Sequence, residues 1–188
     1  CNAATERGII IVNTPSGNAT TTAEHTIALL MALSRHISQA DKSMHEGAWE
    51  KTKFTGTEIT DKVLGIFGFG NIGKIVADRA QGLRMRVMVC DPFLNSQTAA
   101  KCGVELVSLE QLCKRSDYVT VHVPLNDSTR NLIDRKAIDA MKKGVRILNC
   151  ARGGIINEEA LIEGLNSGKV AGAAVDVFVE EPPGKDHP

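Results

Sequence analysis

The sequence predicts an α/β domain built on a doubly wound parallel sheet with helices on both faces. Three observations predict it. From residue 63 onward, short apolar runs alternate with helical segments. The runs are apolar at successive positions, as strands buried on both faces must be. A glycine-rich turn joins the first run to the helix after it. The length of 188 residues, with 43% hydrophobic and 23% charged residues, suits one good-sized domain, or one domain and a fragment of another.

Taken in order, Ile9-Ile10-Ile11-Val12 is a β-branched run that Asn13-Thr14-Pro15-Ser16-Gly17 stops sharply. Thr20-Thr21-Thr22-Ala23-Glu24 resembles a capping box opening a helix, which the pattern continues to about Met44. The centre of that helix, Ile27 to Leu33, is apolar all round, so it must be covered on every side. Val63–Phe67 reads as a buried strand, Ile72–Leu83 as a helix and Arg86–Cys90 as a strand. Gln97–Lys101 is a short helix, Val104–Leu106 a short strand and Leu109–Lys114 a short helix. Tyr118–His122 is a strand, Asp134–Met141 a helix and Val145–Asn149 a strand. Glu158–Asn166 is a helix and Ala171–Val175 the last strand.

Composition excludes several classes. Lys+Arg and Asp+Glu both total 22, and aromatics are 4%. A neutral chain poor in aromatics has neither the charge nor the stacking platforms for nucleic acid. No apolar run is long enough to span a bilayer. The five cysteines include no C-x-x-C pair, so neither a disulfide framework nor a metal site is expected, and a reducing, cytoplasmic setting is. The chain opens on Cys1-Asn2-Ala3-Ala4 with no initiator Met or signal layout, and is expected to be a piece of a longer protein.

Gly68-Phe69-Gly70-Asn71-Ile72-Gly73 follows the first strand directly and opens a helix. Gly68 permits the tight turn, Gly70 lets a pyrophosphate approach, and Gly73 lets the helix sit close on the sheet, the Rossmann-type arrangement. The helix N-terminus then offers N–H groups to phosphate. Asp91 ends the second strand, where its carboxylate suits ribose hydroxyls and repels a 2′-phosphate. NAD is therefore expected over NADP.

Two further stretches narrow the reading: Asn149-Cys150-Ala151-Arg152-Gly153-Gly154-Ile155-Ile156-Asn157-Glu158-Glu159-Ala160-Leu161, and Gly172-Ala173-Ala174-Val175-Asp176-Val177-Phe178 with Glu180-Glu181-Pro182-Pro183. With the glycine turn and Val121-His122-Val123-Pro124-Leu125, they resemble the D-isomer-specific 2-hydroxyacid dehydrogenase family over nearly the whole chain. Val12-Asn13-Thr14-Pro15-Ser16-Gly17-Asn18, Gly47-Ala48-Trp49 and Lys53-Phe54-Thr55-Gly56-Thr57-Glu58 resemble the branch that oxidises 3-phosphoglycerate to 3-phosphohydroxypyruvate, the first step of serine synthesis. Lys51 and Lys53 could meet a phosphate, but a solvated pair is the favoured reading.

The resemblance implies residue roles. Arg152 matches the Arg that holds the substrate carboxylate in two-point fashion and polarises the C2 oxygen. Glu181 matches the Glu that supports the catalytic His. That His has no match here, because the family sets it in a Pro-His-x-Gly context beyond the chain's end, and His187, before Pro188, does not fit. The fragment alone is therefore expected to be inactive. Asn18 matches a position near the substrate. Asn71 and Ile72 match the pyrophosphate turn, Val123 and Pro124 the adenosine side, and His122 a cofactor-pocket position. Cys150 and Ala151 match positions near the nicotinamide ribose, Arg152 one beside the cofactor, and Asp176 one near the carboxamide. His25, His36 and His45 read as solvated or packed.

Residues 1–17 are expected to be the remnant of a mostly absent substrate lobe and its hinge, with residues 18–188 the NAD-binding domain. The apolar helix and the family resemblance together imply a homodimer through residues 22–58, and possibly a higher homo-oligomer in the full-length protein. Two other readings remain: a glyoxylate, hydroxypyruvate or other D-2-hydroxyacid reductase, and an NAD-sensing, dehydrogenase-like transcriptional corepressor.

Overall fold

A computed structural model describes residues 2–14 and 17–187. Cys1, Pro15, Ser16 and Pro188 lie outside the described residues, and with them the Pro-Ser half of the turn after Val12. The elements in order are α1 (Asn2–Thr5), α2 (Ala19–Arg35), α3 (Ile37–His45), β1 (Val63–Phe67), α4 (Asn71–Gly82), β2 (Arg86–Cys90), α5 (Ser96–Lys101) and β3 (Glu105–Leu106). They continue with α6 (Leu109–Arg115), β4 (Tyr118–Val121), α7 (Arg135–Ala140), β5 (Val145–Asn149), α8 (Glu158–Asn166) and β6 (Val170–Val175).

The strands form one six-stranded sheet in the order β3-β2-β1-β4-β5-β6, every pairing parallel. Strand side chains alternate between faces, and the core divides accordingly. Leu64, Ile66, Tyr118 and Leu148 pack on one face with Leu30 of α2 and Val76 of α4. Phe67, Val119, Val121 and Ile147 pack on the other with Leu112 of α6, Ile138 of α7 and Leu161 of α8. Connections run one way from β1 to β3 and the other way from β4 to β6. The reversal opens a crevice at the C-terminal ends of β1 and β4, the place where such sheets bind ligands.

Local chemistry sets the helix starts. Asn95, Ser108, Asp134 and Asn157 each accept a backbone N–H of the helix that follows, each bond contributing about 1 kcal/mol. Ser108 and Gln111 complete a capping box. The capping box expected at Thr21–Glu24 does not form. Asn18 is the N-cap there, without a side-chain cap bond, and the helix starts at Ala19.

The single helix expected up to Met44 is two helices. His36 takes a left-handed conformation (φ 55°), its N–H returning to the Ala32 carbonyl, and α3 begins at the next residue. Nor is α2 covered all round. Ala23, Thr26, Leu30 and Ser34 form a buried stripe, Ile27, Leu29, Met31 and Leu33 are half-buried, and Ala28 is exposed. A polar clasp fixes the buried stripe: Ser34 Oγ donates to the Leu30 carbonyl at 2.6 Å and pairs with Tyr118 Oη at 2.9 Å. The Arg146 guanidinium lies 5.5 Å from the Tyr118 ring centroid and donates to Thr57 Oγ1 at 2.8 Å. Residues 2–14 contribute nothing to the core: α1 has no buried residue, and Ile9, Ile10, Ile11 and Val12 are exposed.

Candidate cofactor and active site

The crevice begins at the glycine turn. Gly68 has φ +89°, and a Cβ there would stand 2.5 Å from the His122 carbonyl oxygen. A Cβ on Gly73 would stand 2.1 Å from the Gly68 carbonyl oxygen. Both positions therefore demand glycine on space alone. Gly70 differs: a Cβ there would meet nothing within 4 Å, so it faces open space at the start of α4, where Asn71 is the first helical residue and Ile72 is half-buried. A backbone bare of side chain at a helix N-terminus fits a phosphate group.

Asp91 lies beside the turn. Its Oδ2 accepts the Phe69 N–H at 2.6 Å and its Oδ1 accepts the Phe93 N–H at 2.7 Å. The carboxylate thus pins the glycine turn to the end of β2 while remaining half-exposed. Across the turn, His122 Nε2 lies 3.1 Å from Thr120 Oγ1. Its Nδ1 is buried with no hydrogen-bond partner among the described residues, and burial pushes the imidazole pKa down to about 4. The ring is neutral at physiological pH. Val123 Cγ1 would sit 2.8 Å from a Gly68 Cβ, and Pro124, exposed, follows.

At the C-terminal end of β5 the chain makes a tight turn. Asn149 is buried; its Nδ2 donates to the Arg152 carbonyl at 2.9 Å, and its Oδ1 accepts the Ala151 N–H at 3.0 Å. Cys150 is buried against the Thr26 hydroxyl of α2, and burial raises its thiol pKa. A protonated thiol is a poor nucleophile. Arg152 is exposed, with one guanidinium nitrogen donating to the Ala151 carbonyl at 2.6 Å.

The segment after β6 folds back on this turn. A Cβ on Gly153 would stand 1.8 Å from the Phe178 carbonyl oxygen and 2.7 Å from the Val179 nitrogen. The two backbones are therefore in direct contact. Glu181 Oε1 accepts the Phe178 N–H at 3.0 Å, which ties Glu181 to the same contact beside Arg152. Glu158 of α8 accepts the Val179 N–H at 2.9 Å. His187 lies against Glu158 (3.4 Å) and packs edge-on to the Phe178 ring, so the structure places it with Glu158.

Asp176 follows β6, its N–H donating to the Asn149 carbonyl at 3.0 Å. Asn18 caps α2 at the edge of residues 17–187 and is exposed. Two residues at the site were not singled out by sequence reasoning. Asn149 organises the turn that carries Arg152; its signal was a lone Asn at the end of an apolar strand, where a buried amide must find partners. His25 lies 3.4 Å from Asp176, a pairing between distant segments that no local pattern carries.

The sequence profile of the D-isomer specific 2-hydroxyacid dehydrogenase NAD-binding domain matches residues 27–188. D-3-phosphoglycerate dehydrogenase from Archaeoglobus fulgidus is 49% identical over 187 residues, covering 100% of this chain and 36% of that relative. The Homo sapiens D-3-phosphoglycerate dehydrogenase is 48% identical over 181 residues, covering 96% of this chain and 34% of its own length. The chain thus spans about a third of these curated relatives. Among solved structures, an NAD-dependent formate dehydrogenase from Staphylococcus aureus in complex with NAD superposes with a TM-score of 0.88 at 35% identity, covering 100% of this chain and 56% of that one. No described helix is long and apolar enough to cross a membrane. On the profile match, the identities and the crevice geometry, the chain belongs to the D-isomer specific 2-hydroxyacid dehydrogenase family, as its NAD-binding domain.

Proposed function

We propose that this chain is the NAD-binding domain of a D-3-phosphoglycerate dehydrogenase, which oxidises 3-phosphoglycerate to 3-phosphohydroxypyruvate. The near-half identity to such enzymes from an archaeon and from human, over almost the whole chain, carries the reading and favours it over a glyoxylate or hydroxypyruvate reductase or a corepressor. Residues 18–188 form the cofactor domain and residues 1–17 the end of a second lobe, in keeping with their exposed apolar run. The described thiols are free, which agrees with a cytoplasmic setting.

The cofactor contacts follow the crevice. Gly68, Gly70, Asn71, Ile72 and Gly73 cradle the pyrophosphate. Asp91 accepts the adenosine ribose hydroxyls, and His122, Val123 and Pro124 line the adenosine side. Cys150, Ala151, Arg152 and Asp176 surround the nicotinamide end. NAD, when bound, supplies the hydride acceptor. Arg152 grips the substrate carboxylate and polarises the C2 oxygen, with Asn18 nearby. Glu181, held through Phe178, stabilises the cationic form of the histidine that takes the hydroxyl proton, and no histidine of residues 1–188 fits that part.

The test is turnover by the full-length protein against a panel of 2-hydroxy acids with NAD and NADP. 3-Phosphoglycerate with NAD should give the highest kcat/KM. Asp91→Ala should weaken NAD by roughly 5- to 150-fold, the loss of two ribose bonds, and relax discrimination against NADP. Preference for an unphosphorylated acid would overturn the substrate reading. Unchanged affinity of Asp91→Ala for both cofactors would overturn the ribose assignment.

Residues 22–58 form the homodimer contact. Ile37, Met44 and Trp49 are 52%, 54% and 78% exposed, and Ile27, Leu29, Met31 and Leu33 of α2 are only half-buried, apolar side chains of the kind that mark interfaces. Light scattering at micromolar concentration should give a dimer mass, or a higher homo-oligomer in the full-length protein. Trp49→Asp, which puts a charge on the surface and not in the core, should give a folded monomer. A monomer mass for the unmodified chain would end this reading.

A further inference from the structure

Helix α2 and strand β6 cross in opposite directions, and two contacts fix the crossing. Leu33 Cδ1 lies 2.8 Å from where a Gly172 Cβ would stand, so the glycine lets the helix settle onto the strand. His25 Nε2 lies 3.4 Å from Asp176 Oδ1. Passing from the first contact to the second takes eight residues back along α2, roughly 12 Å of helix. It takes four residues forward from Gly172, roughly 13 Å of strand. The two spans match, so the close packing at one end sets the register that brings His25 to Asp176 at the other.

The neighbouring residue repeats the pattern. Thr26 places its hydroxyl against Cys150, at the end of the adjacent strand β5. Consecutive residues of α2 thus touch the ends of both strands that border the nicotinamide end of the crevice. The Asp176 backbone is held by its N–H bond to the Asn149 carbonyl, which leaves only the carboxylate to be oriented. His25 approaches it from α2, the two side chains 46% and 54% exposed.

We propose that His25 is a positioning residue of the nicotinamide subsite: from α2 its Nε2 stands 3.4 Å from Asp176 Oδ1 and holds that carboxylate toward the nicotinamide carboxamide. The proposal rests on the assignment of Asp176 to the nicotinamide end. It predicts an effect confined to that end of the cofactor.

The experiment compares NAD with ADP-ribose, which carries every part of NAD except the nicotinamide. Both are titrated calorimetrically into the unmodified chain and into His25→Ala, His25→Gln and His25→Asn. His25→Ala should weaken NAD by roughly 5- to 20-fold, the loss of one oriented contact, and leave ADP-ribose unchanged, which also shows that the variant is folded. The Gln amide nitrogen falls near the position of the His Nε2, and the Asn amide nitrogen near that of Nδ1. His25→Gln should therefore restore NAD binding and His25→Asn should not, a distinction that a purely structural role would not produce. Unchanged NAD affinity in His25→Ala, equal loss of both ligands, or equal rescue by Asn and Gln would overturn the proposal. An unmodified chain that bound ADP-ribose and NAD equally tightly would instead remove the nicotinamide subsite, and the role of His25 with it.

Discussion

Gly153→Ala in the full-length enzyme should reduce kcat by about a hundredfold or more, with a much smaller effect on NAD binding. The added Cβ would lie 1.8 Å from the Phe178 carbonyl oxygen. Both sides of that contact are backbone, so no rotamer change relieves it. Either the Arg152 turn or the segment bearing Glu181 must move by about 1 Å or more, and displacements of that size at a catalytic pair cost about 10²-fold. Overpacking should lower stability by about 1–3 kcal/mol as well. The glycine turn at residues 68–73 lies on another strand end and keeps its geometry. Steady-state kinetics beside a cofactor titration would check the split. A variant with ordinary kcat would show that the Arg152 turn and the Glu181 segment need not be in contact for catalysis.

Arg152→Lys should abolish turnover almost completely, by roughly 10²- to 10³-fold in kcat/KM, the scale of losing one well-placed charged donor. Lys keeps the charge but loses the planar fork that meets a carboxylate at two points. One guanidinium nitrogen is already used on the Ala151 carbonyl, so the remaining nitrogens present the fork in a fixed orientation. A lysine ammonium on its flexible stem cannot do both. NAD affinity should fall far less than kcat/KM, since only the nicotinamide end of the cofactor lies beside Arg152 and the pyrophosphate and adenosine contacts lie elsewhere. A variant with near-normal kcat/KM would show that another cation holds the substrate.

Much of this was legible in the sequence because it is written in local patterns. The strands of the sheet were read at their places because buried parallel strands are apolar throughout. The glycine turn was legible because its geometry needs glycine at fixed offsets. The ends of α2 were not, because they depend on choices among near-equal alternatives. Asn18 starts the helix ahead of Thr20, Thr21 and Thr22, any of which could cap it, and His36 breaks it without a glycine or proline to announce the break. How much of α2 the domain itself covers was left open, because an all-apolar run does not divide its faces between the domain core and a partner. Arg152, Glu181 and Asp176 were legible only through family resemblance. The contacts of Arg152 with Asn149 and of Glu181 with Phe178 span three residues each, but that of Asp176 with His25 joins segments far apart in the chain, and periodicity holds no record of such a pairing.

The two bonds made by Asp91 bear on how cofactor preference can change over evolutionary time. The same carboxylate that would meet the ribose also accepts the N–H groups of Phe69 and Phe93. Selectivity and loop architecture therefore share one side chain. A lineage drifting toward NADP that replaces Asp91 by a side chain without an acceptor strands the partly buried Phe69 N–H, at about 1–3 kcal/mol, while the exposed Phe93 N–H can turn to water. Acquisition of a cation for the 2′-phosphate is best accompanied by an acceptor for the Phe69 N–H, such as an amide oxygen in place of the carboxylate. A protein engineer reversing the preference meets the same constraint, and the first substitution to make is one that keeps an acceptor for the Phe69 N–H, before any that attracts the phosphate.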